Sequence, residues 1–194
     1  KKFSEATAIL AGDAIQPLSL EILTSINDKN LSAESKCKII NVFAKACGPK
    51  GMVEGQNLDI KAENKKLNEL QLDKVHYLKT GKLIEACVLS VCLLKKKIKK
   101  DEIDKLIRFS KKFGLAFQIR DDILDVIGDE KNIGKPVGSD QNKNKSTYPS
   151  VLGLEKSQKK AQRLANTAIN ILTSLPYDTK KLEDLCKLIV ERQS

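Results

Sequence analysis

Nine residues, Phe117-Gln-Ile-Arg-Asp-Asp-Ile-Leu-Asp125, set three acids inside a stretch that is otherwise largely apolar. On a helix that turns once in about 3.6 residues, Asp121 and Asp125 stack on one face and Asp122 flanks them. Gln118 lies one turn earlier on the same side. The rest of the perimeter, Leu115, Ile119, Ile123, Leu124, Val126 and Ile127, reads as buried. Clustered carboxylates repel and are costly to desolvate. The chain must therefore leave these acids on a solvated turn bridged to Lys111, Lys112 or Arg120, or bring a positive group to them. Among such groups, Mg²⁺ held jointly by carboxylates and substrate phosphates suits the spacing.

The surrounding pattern is helical. Apolar periodicity predicts helices over 3–26, 33–47, 51–63, 67–99, 101–128, 149–174 and 178–192, with breaks where turn residues cluster. No alternating strand pattern, internal repeat or linker stands out, so the expectation is an all-α fold with one domain over residues 1–194. The most apolar long segment, 70–94, carries Leu70, Leu72, Val75, Leu78, Ile84, Cys87, Val88 and Val91, and reads as a helix in a bundle core. Lys79-Thr80-Gly81 sits in its middle. The lysine there either snorkels to the surface or faces an anion in the interior. Thr80 can bond to a carbonyl one turn back and bend the helix, which Gly81 eases.

Composition excludes several classes. No run of about 18 apolar residues is present, so no membrane span is expected. Five scattered cysteines (Cys37, Cys47, Cys87, Cys92 and Cys186) lack zinc or disulfide spacing and point to reduced thiols and a cytoplasmic setting. The net charge of +10 raises the question of nucleic acid, but the lysines are dispersed and aromatics make up only 4% of residues. Few stacking platforms exist, and a solvated basic surface is the preferred reading. A single histidine, His76, offers no basis for a Ser/His/Asp or Cys/His nucleophile and reads as a partly buried helix residue.

After the acidic helix comes Gly128-Asp-Glu-Lys-Asn-Ile-Gly134-Lys135-Pro-Val-Gly138, then Lys145-Ser-Thr-Tyr-Pro149. Lys135 supplies a mobile charge for phosphate. A P-loop is excluded: one residue too many separates Gly128 from Gly134, and Pro136 stands where Ser or Thr should hold a metal. The segment reads as a lid over a metal–phosphate cluster or as a plain surface turn. Gln56 and Asp59, at helical spacing, either support the acidic cluster or face solvent.

Taken in order, Ala8-Ile-Leu-Ala-Gly-Asp13-Ala, Gly55-Gln-Asn-Leu-Asp59, His76-Tyr-Leu-Lys-Thr-Gly81, Gly114 through Asp125, Gly134-Lys135, Lys145 through Pro149 and Leu152-Gly-Leu-Glu155 resemble the trans-isoprenyl diphosphate synthases, bacterial farnesyl diphosphate synthases above all. The resemblance implies an isoprenoid synthase helical bundle around a central cavity, of which residues 1–194 would form the C-terminal two-thirds. It implies that Asp121, Asp122 and Asp125 are the second Asp-rich motif, holding Mg²⁺ (or Mn²⁺). Lys79, Lys135 and Lys145 would bind substrate diphosphate, while Thr80 and Gln118 would present oxygens to a developing allylic cation. The substrates implied are isopentenyl diphosphate and an allylic diphosphate, with a farnesyl, or alternatively geranylgeranyl or geranyl, product and a homodimeric enzyme. A class I terpene synthase fits less well, because residues 121–125 are not typical of it. The family's first Asp-rich motif and its isopentenyl diphosphate site are expected upstream of Lys1, where the helical pattern of Phe3, Ala6, Ile9 and Leu10 is already under way. A truncated relative or a non-catalytic regulatory subunit is the alternative.

Overall fold

The computed structural model describes residues 2–29, 31–95, 97–127 and 145–191, and these are helical with no strand among them. Helix α1 (Glu5–Ser25) starts at Ser4, whose hydroxyl accepts the Thr7 N–H at 3.1 Å. Helix α2 (Ala33–Cys47) has the same kind of cap at Ser32 and stops at Gly48, while α3 (Met52–Lys61) follows directly. Helix α4 (Glu69–His76) opens with a reciprocal capping box between Asn68 and Gln71. A single π turn, Tyr77–Gly81, joins it to α5 (Lys82–Leu94). Helix α6 (Lys100–Ile127) is the longest at 28 residues. After it come α7 (Tyr148–Leu152), α8 (Leu154–Thr173) and α9 (Lys180–Glu191).

Helix α6 is the axis of the assembly and packs against α5, α8 and α9, with α2 against α5 and α3 against the π turn. Two apolar clusters line it. One gathers Leu72, Ala116, Ile119, Ile123, Tyr148, Ala161, Leu164 and Ile189, and the other gathers Phe109, Ala168, Ile171, Leu172, Leu175 and Cys186. The 3.6-residue period explains why α6 and α8 share both: each presents a stripe wide enough to be covered along its whole length.

The expected helices are all found, but two are divided. Segment 67–99 becomes α4, the π turn and α5, because the wider turn at Tyr77–Gly81 carries one residue more than an α turn. Segment 149–174 breaks at Gly153, whose φ of +82° places it where a side chain would be strained. Burial of the apolar segment is only partial. Leu72, Val75, Ala86 and Cys92 are inside, whereas Leu70 (79% exposed), Val91 (67%) and Cys87 face outward. Ile127, the last residue of α6, is likewise 48% exposed rather than buried.

Helix α1 departs most from expectation. Its Ile9, Leu10, Ile15 and Ile22 are more than half exposed, and no residue of the helix is buried. With only Glu5, Asp13 and Glu21 ionisable along its 21 residues, α1 is long and apolar enough to cross a membrane by length and composition, even though polar residues interrupt its apolar run. The same composition suits a helix buried against other protein.

Candidate active site

The site is built where three helices meet the π turn. Gly55 on α3 makes the approach possible: a Cβ there would lie 2.2 Å from the Lys79 backbone nitrogen and 2.5 Å from its Cα. Backbone therefore packs on backbone, and the side chain of Asp59, one turn further along α3, reaches Lys79. The Lys79 ammonium donates to Asp59 Oδ2 at 2.9 Å, and the Lys145 ammonium donates to the same oxygen at 2.6 Å. Lys145 is itself held by its neighbour. The Ser146 hydroxyl accepts from the Leu67 N–H and donates to the Lys65 carbonyl, both at 2.9 Å, and so ties this segment to the α3–α4 connection. Beside it opens a recess of ≈ 690 Å³ lined by Lys65, Lys66, Lys145 and Ser150 among others. Burial alone would raise the Asp59 carboxyl, but hydrogen bonds and charge from Lys145 and Lys79 outweigh it and leave the pKa below the ordinary value.

The acidic face of α6 is organised differently from its reading in sequence. The buried polar residues are Gln118, Asp122 and Asp125, while Asp121 is half-buried. Gln118, Asp122 and Asp125 follow the i, i+4, i+7 stripe, so Asp122, not Asp121, shares the inner face with the other two. Asp122 Oδ2 accepts the Tyr148 backbone N–H at 2.9 Å and lies 3.3 Å from His76 Nε2. The His76 ring stacks on Tyr148, centroids 5.5 Å apart and planes at 15°, and its Nδ1 is buried with no hydrogen-bond partner among the described residues. Burial is the dominant influence on Asp122 and pushes its pKa up, opposed by His76 and the Lys79 charge and reinforced by Asp121. On the far side of Tyr148, the Lys160 ammonium lies 4.4 Å from the ring centroid and pairs with Glu69 at 2.8 Å and Asp73 at 3.1 Å, while the Tyr148 hydroxyl donates to Asp73.

Of the residues singled out in the sequence, Lys79 and Lys145 are thus joined through one carboxylate, and Lys79 also bears on Asp122. Thr80 sits half-buried in the π turn and Gln118 is buried on α6. Lys135 and the glycine-rich segment around it lie outside the described residues. Gln56 is exposed, whereas Asp59 is the partner of both lysines. Asp59, read from the sequence as either a support of the acidic cluster or a solvent-facing residue, instead holds the two lysines, and His76, read as a partly buried helix residue, is buried beside Asp122. No group of three His, Cys, Asp or Glu side chains among the described residues stands close enough to hold a metal on its own. The carboxylates of Asp121, Asp122 and Asp125 on α6 are hard oxygen ligands of the kind that Mg²⁺ shared with phosphate oxygens takes one or two of.

The structure is an all-helical bundle in which Lys79 and Lys145 meet on Asp59 beside the Asp-rich end of α6. The chain matches the polyprenyl synthetase family model over residues 1–189 and belongs to that family. It is 40% identical over 194 residues to a farnesyl diphosphate synthase of Haemophilus influenzae, covering all of this chain and 65% of that protein. It is 42% identical to the farnesyl diphosphate synthase of Escherichia coli strain K12, covering 98% and 65% respectively. A geranyltransferase from Helicobacter pylori, solved with magnesium and isoprenyl diphosphate, superposes with a TM-score of 0.84 at 33% identity, covering 97% of this chain and 61% of that one. The chain thus spans about 65% of the length of the curated relatives it matches.

Proposed function

We propose that the protein carrying this chain is a prenyltransferase that condenses isopentenyl diphosphate with dimethylallyl or geranyl diphosphate and releases farnesyl diphosphate. The observation that carries this reading is the convergence of Lys79 and Lys145 on one oxygen beside a buried Asp-rich turn, since two ammonium groups so arranged suit a diphosphate.

In this reading Lys79 and Lys145, with Lys135, hold the diphosphate of the allylic substrate and take up charge as its C–O bond breaks and the diphosphate leaves with the electron pair. Thr80 and Gln118 turn oxygens to the resulting allylic cation. The double bond of isopentenyl diphosphate supplies the electrons of the new C–C bond, and the proton lost to re-form an alkene passes to the released diphosphate. Asp121, Asp122 and Asp125 are the side chains that would hold Mg²⁺, or Mn²⁺ in its place, which would supply further positive charge to the leaving group. Two copies of the protein would associate as a homodimer, as the family resemblance implies.

The test is to incubate the full-length protein with Mg²⁺, dimethylallyl diphosphate and excess isopentenyl diphosphate and to size the products. A C15 product is expected. Dominant C20 chains would replace the farnesyl reading with a geranylgeranyl one, and no product at all would favour a non-catalytic subunit.

A further inference from the structure

We propose that Asp59 is an internal counter-anion of the diphosphate site, one that assembles the two lysines before substrate arrives and limits how tightly the site keeps an anion. The proposal rests on the reading of Lys79 and Lys145 as diphosphate ligands. Those lysines are separated from Asp59 by 20 and 86 positions, so nothing local in the chain brings them together. What joins them is one oxygen, Oδ2, on a side chain only 16% exposed. Two ammonium groups this close would otherwise repel and would keep their rotamer freedom until a ligand fixed them.

The Lys79 ammonium has three donors and gives one to Asp59, so donors remain there for phosphate oxygens without the carboxylate being displaced. The pair is therefore ordered in advance, which lowers the entropic cost of binding. The same carboxylate stays behind the lysines once a diphosphate is seated, and like charge opposes retention. Both effects come from one residue and have opposite signs for affinity. In a half-buried setting the charge effect is the larger, because geometry survives in a neutral isostere while the repulsion does not. A site that must discharge inorganic diphosphate in every cycle gains from this arrangement, since release competes with turnover.

The experiment measures inorganic diphosphate binding to the full-length protein by titration calorimetry, without and with Mg²⁺. Asp59→Asn is expected to tighten binding at least tenfold, since the repulsion of one like charge within ~10 Å exceeds that scale at an effective dielectric near 20. In steady state it is expected to lower KM for the allylic substrate and to lower kcat, with kcat becoming more sensitive to solvent viscosity as release slows. Lys79→Met and Lys145→Met are expected to weaken diphosphate binding. If the lysine variants bind diphosphate like the parent, the reading of the site itself falls. If they weaken binding and Asp59→Asn leaves it unchanged or weaker, the counter-anion role falls alone. Should Asp59→Asn fail to fold, the double variant Asp59→Asn with Lys145→Met leaves one fewer uncompensated ammonium. It is expected to bind more tightly than Lys145→Met alone, and equal or weaker binding overturns the proposal.

Discussion

Asp122 carries a contradiction that its neighbours only partly resolve. Its carboxylate is buried, accepts the Tyr148 N–H and faces His76, yet burial still holds its pKa above the ordinary value of 3.8. An ionised acid held this way is a source of instability until a cation arrives. Asp122→Asn keeps the shape and an acceptor for Tyr148 while removing the charge. Thermal unfolding of the metal-free variant is therefore expected at the same or higher temperature, whereas turnover of the complete enzyme falls by on the order of 10²–10³-fold. A lower melting point would show that the charge itself stabilises the fold. Asp59 runs the other way. Its folded-state pKa is depressed, so the stability it lends is present above the ordinary value of 3.8 and drains away as pH falls through the lowered folded-state value. Unfolding midpoints measured from pH 6 downward should fall less steeply below pH ~4 in Asp59→Asn than in the parent. Neither residue's behaviour was legible in the sequence, because the partners that decide it (His76, Tyr148, Lys79, Lys145) lie 20 to 86 positions away.

Elements show why some of the fold could be read directly and some could not. Helix α2 occupies the predicted 33–47 because its ends are chemical events, a serine cap and a glycine stop, that leave a mark in the residues themselves. The division of 67–99 left no such mark. A π turn changes the hydrogen-bond partner by one position and needs no special residue, so the apolar period runs through it nearly undisturbed. The same limit applies to burial: periodicity says which residues share a stripe but not whether another element covers that stripe, and Leu70, Val91 and all of α1 lie on uncovered ones. Gly55 has the opposite character, since its reason is visible only in the packing. Gly55→Ala would push α3 off the π turn and is expected to destabilise the protein by about 1–3 kcal/mol and to weaken substrate binding through displaced Lys79. Gly12 on α1 has nothing within 4 Å of the point where a methyl group would sit, and Gly12→Ala is expected to stabilise by about 0.5–1 kcal/mol through helix propensity alone. Chemical denaturation of both variants tests the contrast, and similar shifts would refute the close-approach argument.

For the molecule as a whole, the open question posed by its surface is what covers α1. Helix α1, apolar along most of its length and with no buried residue, suits cover by other protein, the part of the relatives' length that this chain does not span included. If a second copy meets it there, Ile15→Glu in the full-length protein should halve the mass measured by light scattering, and an unchanged mass would assign the face to another occupant. The π turn has a different consequence for the molecule. One residue beyond an α turn bulges outward, so the helices before and after keep the phase their packing requires. In terms of material, Tyr77–Gly81 holds one residue more than an α turn needs, in the segment where α3 packs and from which Lys79 projects to Asp59. Shortening the segment by one residue would return it to an ordinary helix, leave α4 and α5 facing their old neighbours, and swing Lys79 away from Asp59. Packing and the Lys79–Asp59 pair thus meet in one short segment, which couples the frame of the bundle to the proposed diphosphate site.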